Sequence, residues 1–221
     1  MRALVFDFDG VIVDSEPIHE EGLRRACAPL GIAVREGLSI GLADEDAVRL
    51  IFEEAGVELT PDVERRLLRE KGRYVESVFT RGEAPPYPGT LNLIRAASAA
   101  GLPLAVCSAA FEHEIRAVLG HLAITNHFRT IVAFDHVPRA KPDPAGYLLA
   151  AQRLGIPPSD CIAIEDSPRG VTAARAAGMT TIALLHTTPR ESLIHAHYIA
   201  ESVDALTLDT LRTIHSSQVP S

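Results

Sequence analysis

Short apolar runs alternate with longer amphipathic stretches along most of the chain. The runs cover residues 3–6, 104–107, 130–133, 161–164, 181–185 and 198–200. Runs of this length with almost no polar positions are typical of strands buried on both faces. Helices are predicted between them, over residues 90–100, 112–119, 144–154 and 168–177 and near 204–214. The pattern predicts an α/β fold, a doubly wound parallel sheet with helices on both faces.

One long segment interrupts this alternation. Residues 15–85 contain no convincing strand but three or four helical stretches, among them 17–30, 44–55 and 61–80. The segment ends in the sequence Ala84-Pro-Pro-Tyr-Pro-Gly89, and a proline-rich composition of this kind gives a stiff connector. We therefore predict two domains: an α/β core of residues 1–14 and 86–221, and an inserted helical domain of residues 15–85.

The composition of the chain mainly excludes some classes of binding partner. The 221 residues include 29 acidic and 21 basic side chains, which gives a net charge of -8. This acidic balance disfavours binding to nucleic acid or to an anionic membrane by bulk attraction. No apolar run reaches the roughly 20 residues of a membrane span, and carboxylates as early as Asp7 are untypical of a signal peptide. We expect a monomeric cytoplasmic protein without nucleic-acid or membrane partners.

Polar side chains follow the apolar runs at the point where each predicted strand ends. They are Asp7 and Asp9, Ser108, Asp135, Glu165 and Asp166, with Lys141 further along the loop after the third run. Taken singly, each has an ordinary explanation as a turn residue, a helix cap or a loop cation. Ligands of doubly wound sheets bind at the carboxyl ends of the strands, where these groups would converge. Clustered carboxylates need a compensating cation, and oxygen ligands of this kind suit Mg²⁺ with a phosphate.

These residues also carry a family resemblance. Residues 6–16, Phe-Asp-Phe-Asp-Gly-Val-Ile-Val-Asp-Ser-Glu, closely resemble the first motif of the haloacid dehalogenase-like superfamily of phosphohydrolases. The later motifs follow in the right order: Ser108 after an apolar strand, then Lys141-Pro142, then Glu165-Asp166-Ser167. Four ordered motifs are far more specific than an Asp-x-Asp pair alone. The resemblance spans the chain, so the core is expected to be Rossmann-like and the insert to be the cap domain of the family.

The resemblance implies an activity: a Mg²⁺-dependent phosphatase that hydrolyses a small phosphorylated metabolite through an aspartyl phosphate. Asp7 is implied as the nucleophile that attacks phosphorus. Asp9 is implied as the group that protonates the leaving oxygen and then deprotonates the attacking water. In such a site Asp7 and Asp166 would bind the metal with their side chains and Asp9 with its backbone carbonyl, while Glu165 would lie nearby or bind through a water.

The resemblance also implies which residues bind the phosphate. Lys141 would neutralise the nucleophile and the phosphoryl oxygens, and Ser108 would hydrogen-bond one of these oxygens, with Ala109 beside it. Gly10 would allow a tight turn below the site. His19 stands where β-phosphoglucomutase, a member of the same superfamily, carries a hinge histidine. A lone histidine on a helix is also an ordinary surface or core residue, so both interpretations of His19 stay open.

Branches of the superfamily differ in features that this sequence tests. The dehalogenase branch lacks the second aspartate, so Asp9 argues against it. The phosphonatase branch uses a cap lysine soon after the first motif, whereas the one lysine of this insert, Lys71, comes far along it. The mutase binds the second phosphate of its sugar through cap cations, but Ile40 and Asp44 occupy the matching positions in residues 40–46. Hydrolysis is therefore predicted, with a sugar phosphomutase as the alternative.

Two further alternatives come from other functional classes. Receiver domains of response regulators also combine an acidic pair with a hydroxyl and a lysine after later strands. Their acceptor aspartate follows the third strand, where Asp135 is the candidate, but they have no helical insert and are much shorter than this chain. A catalytically idle binding protein is the other alternative, although every motif residue needed for turnover is present.

Overall fold

The computed structural model of the protein describes residues 1–40 and 42–218. These residues form, in chain order, β1 (Ala3–Phe6), α1 (Glu16–Cys27), α2 (Asp44–Ala55), α3 (Pro61–Thr80), α4 (Pro88–Ala99), β2 (Leu104–Cys107), α5 (Glu112–His121), β3 (Thr130–Val132), α6 (Ala145–Leu154), β4 (Cys161–Glu165), α7 (Pro168–Ala176), β5 (Thr180–Leu184), β6 (Tyr198–Ala200) and α8 (Leu208–Gln218). Short turns of 3-10 helix connect several of them. None of the described helices is both long and apolar enough to cross a bilayer.

The chain divides into two compact units. One comprises Met1–Asp14 and Pro85–Ser221, and the other is Ser15–Ala84. The second boundary lies one residue before the predicted one, because the Asp14 N–H donates to the Pro85 carbonyl at 2.8 Å and so joins Pro85 to the first unit.

The larger unit is built on one parallel sheet. Its six described strands lie in the order β3-β2-β1-β4-β5-β6, and every neighbouring pair is parallel. The chain moves outward from β1 in one direction through β2 and β3, and in the other through β4, β5 and β6. The predicted doubly wound α/β fold is confirmed. Its switch point lies between β1 and β4, where such sheets bind their ligands.

Most predicted boundaries in this unit lie within two residues of the observed ones, but two differences are informative. β4 continues to Glu165, because this residue still pairs with Ala183 of β5. The last helix begins at Leu208 rather than near Asp204. Thr207 precedes it, and the Thr207 Oγ1 accepts from the Thr210 N–H at 3.1 Å, which caps the helix at that point.

The smaller unit contains α1, α2 and α3 around an apolar core of its own. The core consists of Leu23, Cys27, Ile32, Leu38, Ala47, Val48, Ile51, Phe52 and Leu67. α2 and α3 have the predicted bounds. α1 ends at Cys27 rather than at Leu30, and a 3-10 turn follows that stops at Gly31, whose φ of 71° ends the helical path.

Candidate active site

The sheet brings the first-motif aspartate to the end of the fourth strand. Asp7 is the first residue after β1, and its N–H donates to the Ile164 carbonyl of β4 at 2.9 Å. Glu165 ends β4 and Asp166 follows it. Ser108 comes directly after β2, on the other side of β1, where its N–H donates to the Val132 carbonyl of β3 at 2.9 Å. These side chains therefore share the carboxyl edge of the sheet.

Lys141 links two of the carboxylates. Its Nζ lies 2.9 Å from Asp7 Oδ1 and 2.5 Å from Glu165 Oε1. The side chains of Lys141 and Asp7 are only 11% and 10% exposed, so water screens this charge pair weakly. The loop between β3 and α6 thus places the Lys141 ammonium beside the two carboxylates.

Glu165 is completely buried and surrounded by donors. Its Oε1 accepts from Lys141 and from the Tyr147 hydroxyl. Its Oε2 accepts from the backbone N–H groups of Asp166 and Ser167 and from the Ser167 hydroxyl. A Cβ on Gly170 would lie 1.9 Å from Glu165 Oε1, so only glycine fits beside this carboxylate. Glu165 therefore fixes Lys141 and the start of α7.

Gly10 and Thr187 enclose the carboxylate of Asp166. Gly10 adopts a φ of 72°, and a Cβ there would lie 1.8 Å from Asp166 Oδ2. The Thr187 hydroxyl donates to the same oxygen. Asp9 immediately precedes this glycine and is half-buried. The turn after β1 therefore packs directly against a carboxylate that belongs to the loop after β4.

Burial and mutual repulsion change the proton affinity of these groups. Burial, followed by the charge of Glu165, raises the pKa of Asp7 to about 8 although Lys141 lowers it. The pKa of Asp166 is raised as well, first by burial and then by the charges of Asp7 and Glu165. Burial lowers the pKa of Lys141, but the carboxylates of Asp7 and Glu165 raise this pKa by more, so the net shift is upward. One ammonium leaves this acidic cluster under-compensated.

The donor set of the cluster fits a divalent cation. Carboxylate oxygens of Asp7, Glu165 and Asp166 all lie within 4.8 Å of one another. Asp7 Oδ1 is held by Lys141 and by the Phe8 N–H at 2.7 Å, and Asp166 Oδ2 is held by Thr187. Within the described chain, no hydrogen bond reaches Asp7 Oδ2 or Asp166 Oδ1. Two hard oxygen donors are thus left for a cation that would supply the missing positive charge.

A small cavity adjoins this cluster. Ser108, Ala109 and Lys141 line it, together with Phe134 and Arg139. The Ser108 Oγ accepts from the Ala110 N–H at 2.9 Å, which orients the hydroxyl as a donor toward other groups. Three of the residues predicted to contact phosphate, Ser108, Ala109 and Lys141, therefore line one hollow.

Asp135 takes part in a different group. Its Oδ1 accepts from the Glu112 N–H at 3.1 Å at the start of α5, and His136 Nε2 lies 3.1 Å from Glu112 Oε2. The expectation that Asp135 joins the other carboxylates is wrong, because β3 ends at Val132 and the next residues form a 3-10 turn that directs Asp135 toward α5. The structure thus gives no support to a receiver-type acceptor at this position.

His19 lies in the helical unit, in a group with two other polar residues. Lys71, which is only 2% exposed, places its Nζ 2.7 Å from His19 Nδ1 and 2.5 and 2.6 Å from the two oxygens of Asp44. An ammonium has three N–H donors, and here three acceptor atoms surround it. The cap lysine is therefore already neutralised by the aspartate that the sequence places in the mutase cation position.

Three residues of the core site were absent from the sequence expectations: Tyr147, His186 and Thr187. His186 Nδ1 lies 2.8 Å from the Gly10 carbonyl. For His186 and Thr187 a signal was present, since they are the first polar residues after the fifth apolar run. Tyr147 gave none, because an aromatic residue in the apolar helix α6 is normally only part of the core.

Comparisons with known proteins agree with this geometry. A family model described as a hydrolase, haloacid dehalogenase-like hydrolase, matches residues 1–178. The chain is 34% identical over 184 residues to fructose-1-phosphate phosphatase YqaB of Escherichia coli (strain K12), covering 81% of this chain and 94% of that protein. It is 29% identical over 188 residues to the phosphorylated carbohydrates phosphatase of Thermotoga maritima, covering 82% and 84%.

A solved structure agrees as well. CbbY from Rhodobacter sphaeroides, crystallised in complex with phosphate, superposes with a TM-score of 0.80 at 26% identity and covers 96% of this chain and 99% of its own. The fold, the ordered motifs and the match over residues 1–178 lead to one conclusion. The chain belongs to the haloacid dehalogenase-like hydrolases and is an enzyme of that family.

Proposed function

We propose that the protein is a Mg²⁺-dependent phosphatase that hydrolyses the monophosphate ester of a small sugar-like metabolite through an aspartyl phosphate. The observation that carries the proposal is the contact of Lys141 with Asp7 and Glu165, next to Asp166, at the switch point of the sheet. A buried carboxylate beside a fixed ammonium is suited to attack an anionic phosphoryl group, because the ammonium offsets the repulsion between them.

Asp7 is proposed as the nucleophile. Two donors hold its Oδ1, so the carboxylate is oriented and Oδ2 is left without a hydrogen bond in the described chain. A carboxylate oxygen attacks phosphorus while the bond from phosphorus to the ester oxygen breaks. Asp9 gives a proton to that leaving oxygen. Asp9 then takes a proton from a water molecule that attacks the aspartyl phosphate, which releases phosphate and restores Asp7.

Mg²⁺ is proposed to bind through the side chains of Asp7 and Asp166 and the backbone carbonyl of Asp9. When bound, the ion supplies positive charge against the phosphoryl oxygens. Glu165 is proposed to have a neighbouring role, holding Lys141 in place, and the donors around it support this. Lys141 and Ser108, with Ala109 beside them, are proposed to bind the phosphoryl oxygens, and Gly10 to shape the turn beneath.

The relatives and the cap support the proposed substrate class. The two phosphatases of E. coli and T. maritima are named for fructose 1-phosphate and for phosphorylated carbohydrates, so a phosphorylated sugar is proposed here. His19 is proposed to contact the substrate. Lys71 has its charge neutralised by Asp44 and is therefore a poor partner for a second phosphate. This favours hydrolysis of a monophosphate over phosphomutase activity.

A substrate panel with matched variants tests the proposal. We expect phosphate release from hexose and pentose monophosphates with Mg²⁺ and loss of release in excess EDTA. Asp7→Asn should reduce kcat at least about 10⁴-fold, as removal of a covalent nucleophile does. Asp135→Asn, outside the site, should keep wild-type turnover. Comparable rates in Asp7→Asn and wild type would refute the nucleophile, and faster isomerisation than hydrolysis of a β-hexose 1-phosphate with its bisphosphate would favour the mutase.

A further inference from the structure

Two residues after β5 contact the site without belonging to any of its motifs. We propose that Thr187 and His186 are positioning residues for the reaction: Thr187 fixes the carboxylate of Asp166, and His186 fixes the turn that carries Asp9. This inference rests on the proposed function, because it assigns these residues to a phosphatase site that binds a divalent cation. Neither residue is expected to touch the reacting atoms.

The position of the segment follows from the sheet. β5 pairs with β4, with Glu165 opposite Ala183. Residues that follow β5 therefore emerge at the same edge as Asp166. Thr187 and His186 are half-buried, and both polar side chains point onto groups of the site.

Thr187 holds one of the two carboxylate oxygens of Asp166. A carboxylate can only accept, so the Thr187 hydroxyl is the donor to Oδ2. The hydroxyl of Thr188, 3.3 Å away, is then available to donate to Thr187 Oγ1. Gly10 packs against the same Oδ2. Oδ2 is thus contacted by Thr187 and by the Gly10 turn, and Oδ1 is the Asp166 oxygen that no hydrogen bond reaches in the described chain.

His186 holds the turn at Gly10, the residue that follows Asp9. The Gly10 carbonyl can only accept, so Nδ1 carries the proton of this 2.8 Å hydrogen bond. The imidazole ring stacks on Tyr87, with ring centroids 4.1 Å apart and an interplanar angle of 20°. The ring is therefore fixed in orientation as well as in hydrogen bonding.

The same turn is held at three successive carbonyls. Gly10 accepts from His186, Val11 accepts from the Thr90 hydroxyl at 2.7 Å, and Ile12 accepts from the Tyr87 N–H at 3.0 Å. The His186 contact is the one next to Asp9. Groups that orient ligands and catalytic carboxylates typically change affinity or activity by about 10- to 100-fold when removed.

The role of Thr187 is tested without substrate, by measuring the Kd for Mn²⁺ from the electron paramagnetic resonance signal of the free ion. Thr187→Val keeps the shape and removes the hydroxyl, and we expect its Kd for Mn²⁺ to rise about 10- to 100-fold. Thr187→Ser keeps the donor and should bind within about threefold of wild type. Thr172→Val is the matched control, because Thr172 lies on the exposed face of α7 and its hydroxyl donates to the Pro168 carbonyl of the same helix. Wild-type Mn²⁺ affinity in Thr187→Val, or in Thr187→Ala should the valine variant not fold, overturns this role.

The role of His186 is tested with two variants, one that removes its hydrogen bond and one that removes its ring. His186→Phe keeps a ring for Tyr87 but loses the donor, and His186→Asn keeps a donor near the Nδ1 position but loses the ring. We expect kcat to fall about 10- to 100-fold in the phenylalanine variant with KM little changed, and to recover in the asparagine variant. A purely structural role predicts the reverse order, because loss of the stacked ring would lower Tm and active fraction in His186→Asn. That order, or unchanged kcat in His186→Phe, overturns the proposal.

Failure of this inference is distinguishable from failure of the proposed function. If the wild-type enzyme binds no Mn²⁺ and releases no phosphate from the panel, both fail together. If wild type does both and Thr187→Val and His186→Phe match it, the phosphatase stands and the positioning roles are wrong.

Discussion

At the scale of single residues, Lys141 is the group on which the site depends most. Among the described residues it is the one cation in contact with two buried carboxylates, Asp7 and Glu165. Removing one partner of a buried ion pair leaves uncompensated charge, which commonly costs about 3 to 5 kcal/mol. The tight fit between Asp7, Glu165 and the Tyr147 ring, 5.2 Å from Nζ, also leaves little room for a guanidinium.

Lys141→Met is therefore expected to lower the free energy of unfolding by about 3 kcal/mol or more and to abolish turnover. Chemical denaturation of the metal-free protein measures the first effect. Arg139→Met is the matched control on the same loop, since Arg139 is 77% exposed and pairs with Asp143 at the surface. Its cost should stay below about 1 kcal/mol. Equal costs for the two substitutions would contradict the buried pair.

The pKa of Asp7 makes a second prediction at this scale. Burial raises that pKa from 3.8 to about 8, so the folded protein favours the protonated carboxyl. The stabilisation that proton binding at Asp7 contributes is fully present below pH 3.8 and is lost as pH rises through 8, where Asp7 is ionised and pairs with Lys141. A divalent cation needs the ionised carboxylate, so its binding displaces protons at low pH.

Saturating Mg²⁺ should therefore raise Tm more at pH 8 than at pH 6, as scanning fluorimetry can measure. In Asp7→Asn, which has no such proton to displace, the difference between the two pH values should shrink. An equal or larger shift at pH 6 in the wild type would contradict the assignment of Asp7 as a buried ligand.

At the scale of elements, the turn after β1 requires glycine at position 10. Gly10 has a φ of 72° and would place a Cβ 1.8 Å from Asp166 Oδ2. Gly31 has nearly the same backbone angle, 71°, but nothing lies within 4 Å of the corresponding position. An alanine would strain the backbone at both positions, but it would clash with a neighbouring residue only at position 10. Comparing the two substitutions therefore distinguishes the two effects.

Gly31→Ala should cost about 1 kcal/mol of stability and leave kcat unchanged. Gly10→Ala should cost more and lower kcat by about 100-fold or more, because displacing the turn by an ångström disturbs Asp9 and Asp166 together. Steady-state kinetics and thermal unfolding of both variants measure this. Similar kcat values for the two would show that the close packing has no catalytic consequence.

At the scale of the whole molecule, the alternation of apolar runs and amphipathic stretches was sufficient to predict the fold. Wholly apolar runs such as residues 104–107 can be buried only inside a sheet covered on both faces, and β2 has those bounds. The start of α8 was misplaced, because the cap at Thr207 depends on a side-chain hydrogen bond that composition does not reveal.

The site could be predicted only as far as local sequence determines it. Residues directly after β1, β2 and β4 are placed by the strands themselves, which is why Asp7, Ser108 and Asp166 lie at the same edge of the sheet. Asp135 does not join them, since a turn after β3 redirects it. Tyr147 reaches Glu165 across the packing of α6 on the sheet, and a contact made by tertiary packing leaves no local pattern in the sequence.

The most direct test of the account is a rapid acid quench of the enzyme during turnover of a good sugar phosphate with Mg²⁺, followed by mass spectrometry of its peptides. We predict one phosphoryl group on the peptide that contains Asp7, formed at least as fast as phosphate is released, and none when EDTA is present. Steady hydrolysis with no phosphoryl group on that peptide at any quench time would contradict the account.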